Sequence, residues 1–186
     1  MSFQKTILDN GIVVITEYMP SVRSISLGLW FNVGSRDELP NQRGLAHFME
    51  HMMFKGTPTR TPFDISMHFD RLGAEFNAFT SKEYTCYYAR FVDDRLESAL
   101  EVLADMVINS SFSTEAISTE REVVLEEIAR SEDTPDDYVF ELFNQSMIAD
   151  HALGLPVLGD KRLVSSYEHA DCASFHDQHY GSGNLC

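Results

Sequence analysis

The residues best equipped for chemistry stand in one short run, Gly44-Leu45-Ala46-His47-Phe48-Met49-Glu50-His51-Met52-Met53-Phe54. Read as a helix of roughly 3.6 residues per turn, the run stacks His47 and His51 on one face, with Glu50 beside them at three residues from His47. Two imidazoles and a carboxylate then point into one small volume. Leu45, Phe48, Met49, Met52 and Met53 cover most of the remaining circumference, so the helix is expected to be buried on nearly all sides. Polar groups placed there need partners, because burying them unpaired is costly. A pair of core histidines hydrogen-bonded to a neighbouring acid is the plainer reading. A metal site, with imidazole nitrogens as ligands, is the one that employs all three groups together.

A tetrahedral zinc site needs a third protein ligand and an open position for water. Candidates lie in Ser118-Thr119-Glu120-Arg121-Glu122-Val123-Val124-Leu125-Glu126-Glu127-Ile128-Ala129-Arg130. Helical phase separates the acids. Glu127 shares a face with Val124, Ile128 and, two turns back, Glu120, so it is expected to project inward. Glu126 falls with Glu122 and Arg130 on the wet side, where Glu126 and Arg130 are spaced as a surface ion pair.

Positioning these groups requires a scaffold, and the chain opens with strands. Lys5 to Asp9 and Ile12 to Tyr18 are β-branched runs separated by Asn10-Gly11, a hairpin signal. From Ser24 to Phe31, Ile25, Leu27, Leu29 and Phe31 alternate with smaller or exposed residues, as a strand with one face on a core requires. Thr61-Pro62, with Asp64 in the first turn and Gly73 at the end, brackets a helix. Glu75 to Phe91 reads as two strands joined near Thr80-Ser81-Lys82, with Thr85, Tyr87, Ala89 and Phe91 on one face. Helices are expected over Asp94–Ile108, Thr114–Ser131 and Pro135–Ala149. His151 to Gly159 reads as a loop, and Ser165 with Glu168 as a capping box that opens a last helix towards Tyr180. Asn184-Leu185-Cys186 looks like the first residues of another strand. The expected class is α+β, a largely antiparallel sheet with helices packed on a face, apparently truncated before its last strand.

At 186 residues the chain is long enough for one domain with a real core, here spanning 1–186, and too short for two full-sized ones. The formal net charge of −15, with no cluster of Lys and Arg to form a phosphate-binding surface, argues against nucleic acid while leaving a basic or extended peptide welcome. Cys86, Cys172 and Cys186 are too few and too widely spaced for a disulfide framework or a thiolate metal site, which makes a reducing compartment the default. No apolar run approaches the roughly 20 residues that span a bilayer, and a secretory leader is not evident. The expectation is a cytoplasmic protein without membrane contact.

His47-x-x-Glu50-His51 followed by Glu127 resembles the inverted zinc motif of the M16 metallopeptidases, the family of pitrilysin, insulin-degrading enzyme and the mitochondrial processing peptidase. The likeness extends through Gly34-Ser35-Arg36-Asp37-Glu38, Phe54-Lys55-Gly56-Thr57, Asn77-Ala78-Phe79-Thr80-Ser81-Lys82-Glu83 and Glu120 to Glu127, and so covers nearly the whole chain. It implies a zinc endopeptidase of that fold, with His47, His51 and Glu127 as Zn2+ ligands and Glu50 as the base that activates water. Glu120 would be a carboxylate that orients a ligating imidazole. Asn77, Ala78 and Phe79 would lie on an edge strand to which an extended peptide adds. Family members consist of two homologous halves or subunits, and this chain resembles the first. A second half or partner is therefore expected, along with a competing possibility: a non-catalytic zinc-binding or scaffold subunit.

Overall fold

The computed structural model describes residues 3–186. Strands β1 (Phe3–Ile7) and β2 (Val13–Glu17) pair antiparallel as a separate two-stranded sheet, with Ile7 opposite Val13. Their connection is wider than the two residues Asn10-Gly11: Leu8 N–H donates to Ile12 C=O at 2.9 Å, and Gly11 takes φ +91, which a glycine adopts without strain. The main sheet holds β3 (Ser24–Phe31), β4 (Glu75–Thr80) and β5 (Thr85–Val92) in the order β3-β5-β4, all antiparallel. Phe31, Tyr87, Ala89 and Phe91 face the core, as the alternation of the strands requires.

Helices pack against that inner face and against one another. They are α1 (Leu45–Met52), α2 (Pro62–Leu72), α3 (Leu96–Ile108), α4 (Thr114–Glu132), α5 (Pro135–Met147), α6 (Lys161–Val164) and α7 (His169–His179). The central one is α1, whose Leu45, Ala46, Phe48, Met49 and Met52 are fully buried together with the following Met53. Helix α2 starts at a reciprocal cap in which Thr61 and Asp64 each accept the other's backbone amide, and it stops at Gly73 in the left-handed conformation.

Several boundaries move from where the sequence puts them. Ser165 does not open the last helix. It ends α6 in a helical conformation and its hydroxyl donates to Arg162 C=O at 2.8 Å, so it cannot serve as an extended cap. Glu168 takes that place, with its own amide held by Asp171 Oδ2 at 2.8 Å. The segment read as a loop before it contains a single turn at Ala152–Gly154, and α6 follows, capped by Asp160. A single turn at Asp93–Arg95 delays α3 to Leu96.

Residues 185–186 do behave as strand: Leu185 bridges Phe31, and Cys186 exchanges both backbone bonds with Trp30 at 2.8 and 2.7 Å. Leu185 C=O also accepts from Val13 at 3.2 Å, so these residues lie between β2 and β3. Among the described residues, no helix is long and apolar enough to cross a membrane.

Candidate metal centre

Helix α1 presents His47 and His51 with ring centroids 4.8 Å apart. From α4, Glu127 reaches the same point, with its Oε2 3.6 Å from His47 Nε2 and 3.4 Å from His51 Nε2. One ligand atom from each of the three lies within 4.8 Å of the others, a spacing that could hold a metal ion. The apolar stripe of α4 explains the arrival of Glu127: Ile117, Glu120, Val124 and Ile128 are buried, and Glu127 sits at the margin of that stripe. Glu122, Glu126 and Arg130 are exposed as expected, but Glu126 and Arg130 form no ion pair within 4.0 Å among the described residues, two solvated side chains having little to gain by it.

Behind His51 stands a built support. Its Nδ1 lies 3.1 Å from Glu120 Oε2, and Glu120 is 3% exposed. Lys55 Nζ meets the other carboxylate oxygen at 2.6 Å. A carboxylate accepts only, so Nδ1 carries a proton and Nε2 is the nitrogen that faces Glu127 and His47 and would ligate once deprotonated. Burial works against the charge of Glu120, but the bonds from His51 and Lys55 outweigh it and hold the carboxyl below the usual range. Burial likewise opposes a charged His51, yet the bond to Glu120 and the charges of Glu127 and Glu50 raise its pKa on balance.

His47 differs. Its pKa is pushed down to about 4, chiefly by burial and then by His51, and its Nδ1 is buried without a hydrogen-bond partner. A neutral imidazole is the form in which histidine ligates, and Nε2 is the nitrogen of His47 that faces the shared point. Two imidazoles and one carboxylate are also a donor set suited to Zn2+, with positions left over for water. The residues present therefore fit the metal.

Glu50 is not among the converging ligand atoms. Its Oε2 accepts from Thr80 Oγ1 at 2.6 Å, and burial raises its pKa against the pull of that bond. Thr80 ends β4, the outer strand of the main sheet, whose far edge pairs with no other strand among the described residues. Asn77 and Phe79 are exposed there and Ala78 is buried, while Asn77 Oδ1 engages the Ala78 amide at 2.9 Å. Lys55 and Thr80 are site neighbours to which the sequence reading gave no role. Lys55 lies in the turn after α1, three residues beyond its last residue Met52, so helical spacing alone does not place it beside Glu120.

An antiparallel sheet backed by helices, carrying an HxxEH helix against a glutamate from a second helix, defines the class of a metallopeptidase-like α+β domain. The chain matches the insulinase family, peptidase family M16, over residues 13–161, and belongs to that family. A protein from Rickettsia felis named as an uncharacterized zinc protease is 45% identical over 184 residues, which cover 99% of this chain and 45% of that protein. A similarly named protein of Mycobacterium leprae is 46% identical over 95% of this chain and 40% of its own length. Among solved structures, a protease from Helicobacter pylori superposes with a TM-score of 0.93 at 25% identity, covering 99% of this chain and 45% of that one. An M16 domain from Pseudomonas fluorescens described as inactive shares the fold with a TM-score of 0.92 at 21% identity. The chain thus spans less than half the length of these relatives.

Proposed function

We propose that this chain is the zinc-binding and catalytic portion of an endopeptidase acting on extended peptides. The observation that carries the reading is the convergence of His47, His51 and Glu127 beside a carboxylate, Glu50, that points to a different partner. His47, His51 and Glu127 would hold the metal, which when bound would lower the pKa of a water towards 7 and polarise the scissile carbonyl. Glu50 accepts the water's proton at Oε1 or Oε2 and later delivers it to the leaving amine. Its raised pKa brings it closer to the working pH of a general base. Thr80 fixes the carboxylate, and Glu120 with Lys55 fixes the His51 ring. The peptide adds to the free edge of β4, exchanging the Asn77–Ala78 contact for main-chain bonds of its own.

A second reading, a zinc-binding subunit without turnover of its own, draws on the length difference: the relatives extend well beyond the portion matched here. A second half or partner then completes the substrate chamber. Both readings are tested by assaying fluorogenic extended peptides with zinc-loaded protein in the longest available form, against Glu50→Gln. The catalytic reading expects Glu50→Gln to lose roughly 100-fold or more in kcat while keeping its zinc. Equal rates in the two proteins overturn the assignment of Glu50. Bound zinc with no cleavage by either protein establishes the second reading.

A further inference from the structure

Glu38 closes the run Gly34-Ser35-Arg36-Asp37-Glu38, to which the reading above gives no task. Its side chain turns towards the start of α1. Oε2 accepts from Gly44 N–H at 2.9 Å and Oε1 accepts from Ala46 N–H at 2.7 Å, so both oxygens are spent on the first turn of the ligand helix. That turn has no cap of its own, because Gly44 occupies the N-cap position and carries no side chain. Glycine is required there twice over: φ is +94, and a Cβ would lie 2.7 Å from Leu158 C=O. The usual solution of a Ser, Thr, Asp or Asn cap is closed to this helix, and Glu38 supplies the acceptors from six residues upstream.

The loop that carries Glu38 is itself anchored to the other half of the site. Ser35 N–H and Arg36 N–H donate to the carbonyls of Ser81 and Lys82 at 3.2 and 2.9 Å, immediately after Thr80, whose hydroxyl holds Glu50. One short segment therefore spaces the first turn of α1 from the end of β4. His47 lies in that first turn, next to Ala46. His51, one turn on, has Glu120 behind it, whereas the outer nitrogen of His47 has no partner. The orientation of His47 thus depends on the backbone of the first turn.

We infer that Glu38 is a positioning residue for metal binding, acting through the first turn of α1 to aim His47 at the shared point with His51 and Glu127. The inference rests on the metal reading of that cluster. Acceptors for the free amides at a helix N-terminus are favourable in their own right, but a cap that only stabilised the helix would leave metal affinity and ligand geometry unchanged in the folded protein.

The test measures Zn2+ affinity by competition with a chromophoric chelator, and ligand geometry from the visible absorption of the Co2+ form. Wild type, Glu38→Gln and Glu126→Gln are compared, the last making the same Glu-to-Gln change at an exposed position. Glu38→Gln, with one acceptor oxygen in place of two, is expected to bind zinc about 10- to 100-fold more weakly, the range seen when groups supporting metal ligands are removed, and to alter the Co2+ spectrum. Glu126→Gln is expected to match wild type in both. A folded Glu38→Gln protein with wild-type affinity and spectrum overturns the inference. Should that variant fail to fold, Glu38→Asp keeps the carboxyl group but shortens the reach; wild-type affinity and spectrum in Glu38→Asp overturn it equally. Failure of wild type itself to bind zinc removes the metal reading as well, and so is distinct from a failure at Glu38 alone.

Discussion

At the scale of single residues, the site depends on which nitrogen of each imidazole is spoken for. Glu120 settles this for His51 by taking the proton side of the ring, and Lys55 keeps the buried carboxylate ionised for that purpose. Glu120→Gln retains an acceptor oxygen but loses the charge that answers Lys55. Zinc affinity is expected to fall about 10- to 100-fold, measured by chelator competition, and an unchanged affinity would show that Glu120 only fills space. Thr80 does a comparable service for Glu50. Thr80→Val removes one hydrogen bond to a charged group, an effect of about 1.5–3 kcal/mol, so kcat should drop about tenfold or more while Thr80→Ser restores it. Equal losses in both variants would point to packing at the end of β4 instead. The convergence of His47, His51 and Glu127 was legible because each member sits on a helix whose phase can be counted locally. Thr80 was not: its partner lies 30 residues away on another element, a contact that no local spacing records.

Elements follow the same division. The face of α4 that buries Glu120 and carries Glu127 at its margin could be counted, and the alternation along β3 and β5 named the core face correctly. The start of α7 could not be counted, because Ser165–Glu168 and Glu168–Asp171 both have capping spacing, and the choice falls to α6, a four-residue helix too short to announce itself. The joint between the loop after α1 and α3 is equally hidden. There Asp105 on α3 collects Arg60 at 2.5 Å, Thr57 Oγ1 at 2.9 Å and Asn109 at 2.9 Å. Burial opposes its charge, but the bonds from Asn109, Arg60 and Thr57 prevail and hold its pKa below the ordinary 3.8. Between that depressed value and 3.8 the unfolded chain binds more protons than the folded one, so the stabilisation is whole above 3.8 and is lost as pH falls through the folded value. Asp105→Asn is expected to cost about 2 kcal/mol in urea unfolding at pH 7, with the difference from wild type shrinking in acid. A penalty that stays constant down to pH 3 would assign the effect to geometry alone.

Across the whole molecule, the residues proposed as ligands come from two helices that are far apart in sequence, and nothing in the hydrophobic core requires their polar ends to meet. Helix α1 is held by its apolar circumference and α4 by the stripe of Ile117, Val124 and Ile128, so core packing brings the helices together. Glu127 remains partly exposed at 42%, which means that the core does not fix its carboxylate. A metal bound there would join α1 to α4 at a point the core leaves loose, and would do so only in the folded state. Binding to the folded state alone adds about 2.7 kcal/mol at a free concentration of 100 times Kd. For a chain of this size that corresponds to a rise in Tm of roughly 5–10 °C. Differential scanning calorimetry with and without zinc should show this rise in the wild type. It should vanish in Glu127→Ala, whose zinc-free Tm should stay near that of the wild type because a half-exposed side chain is removed. A zinc-induced rise that survives Glu127→Ala would place the stabilising metal elsewhere in the chain.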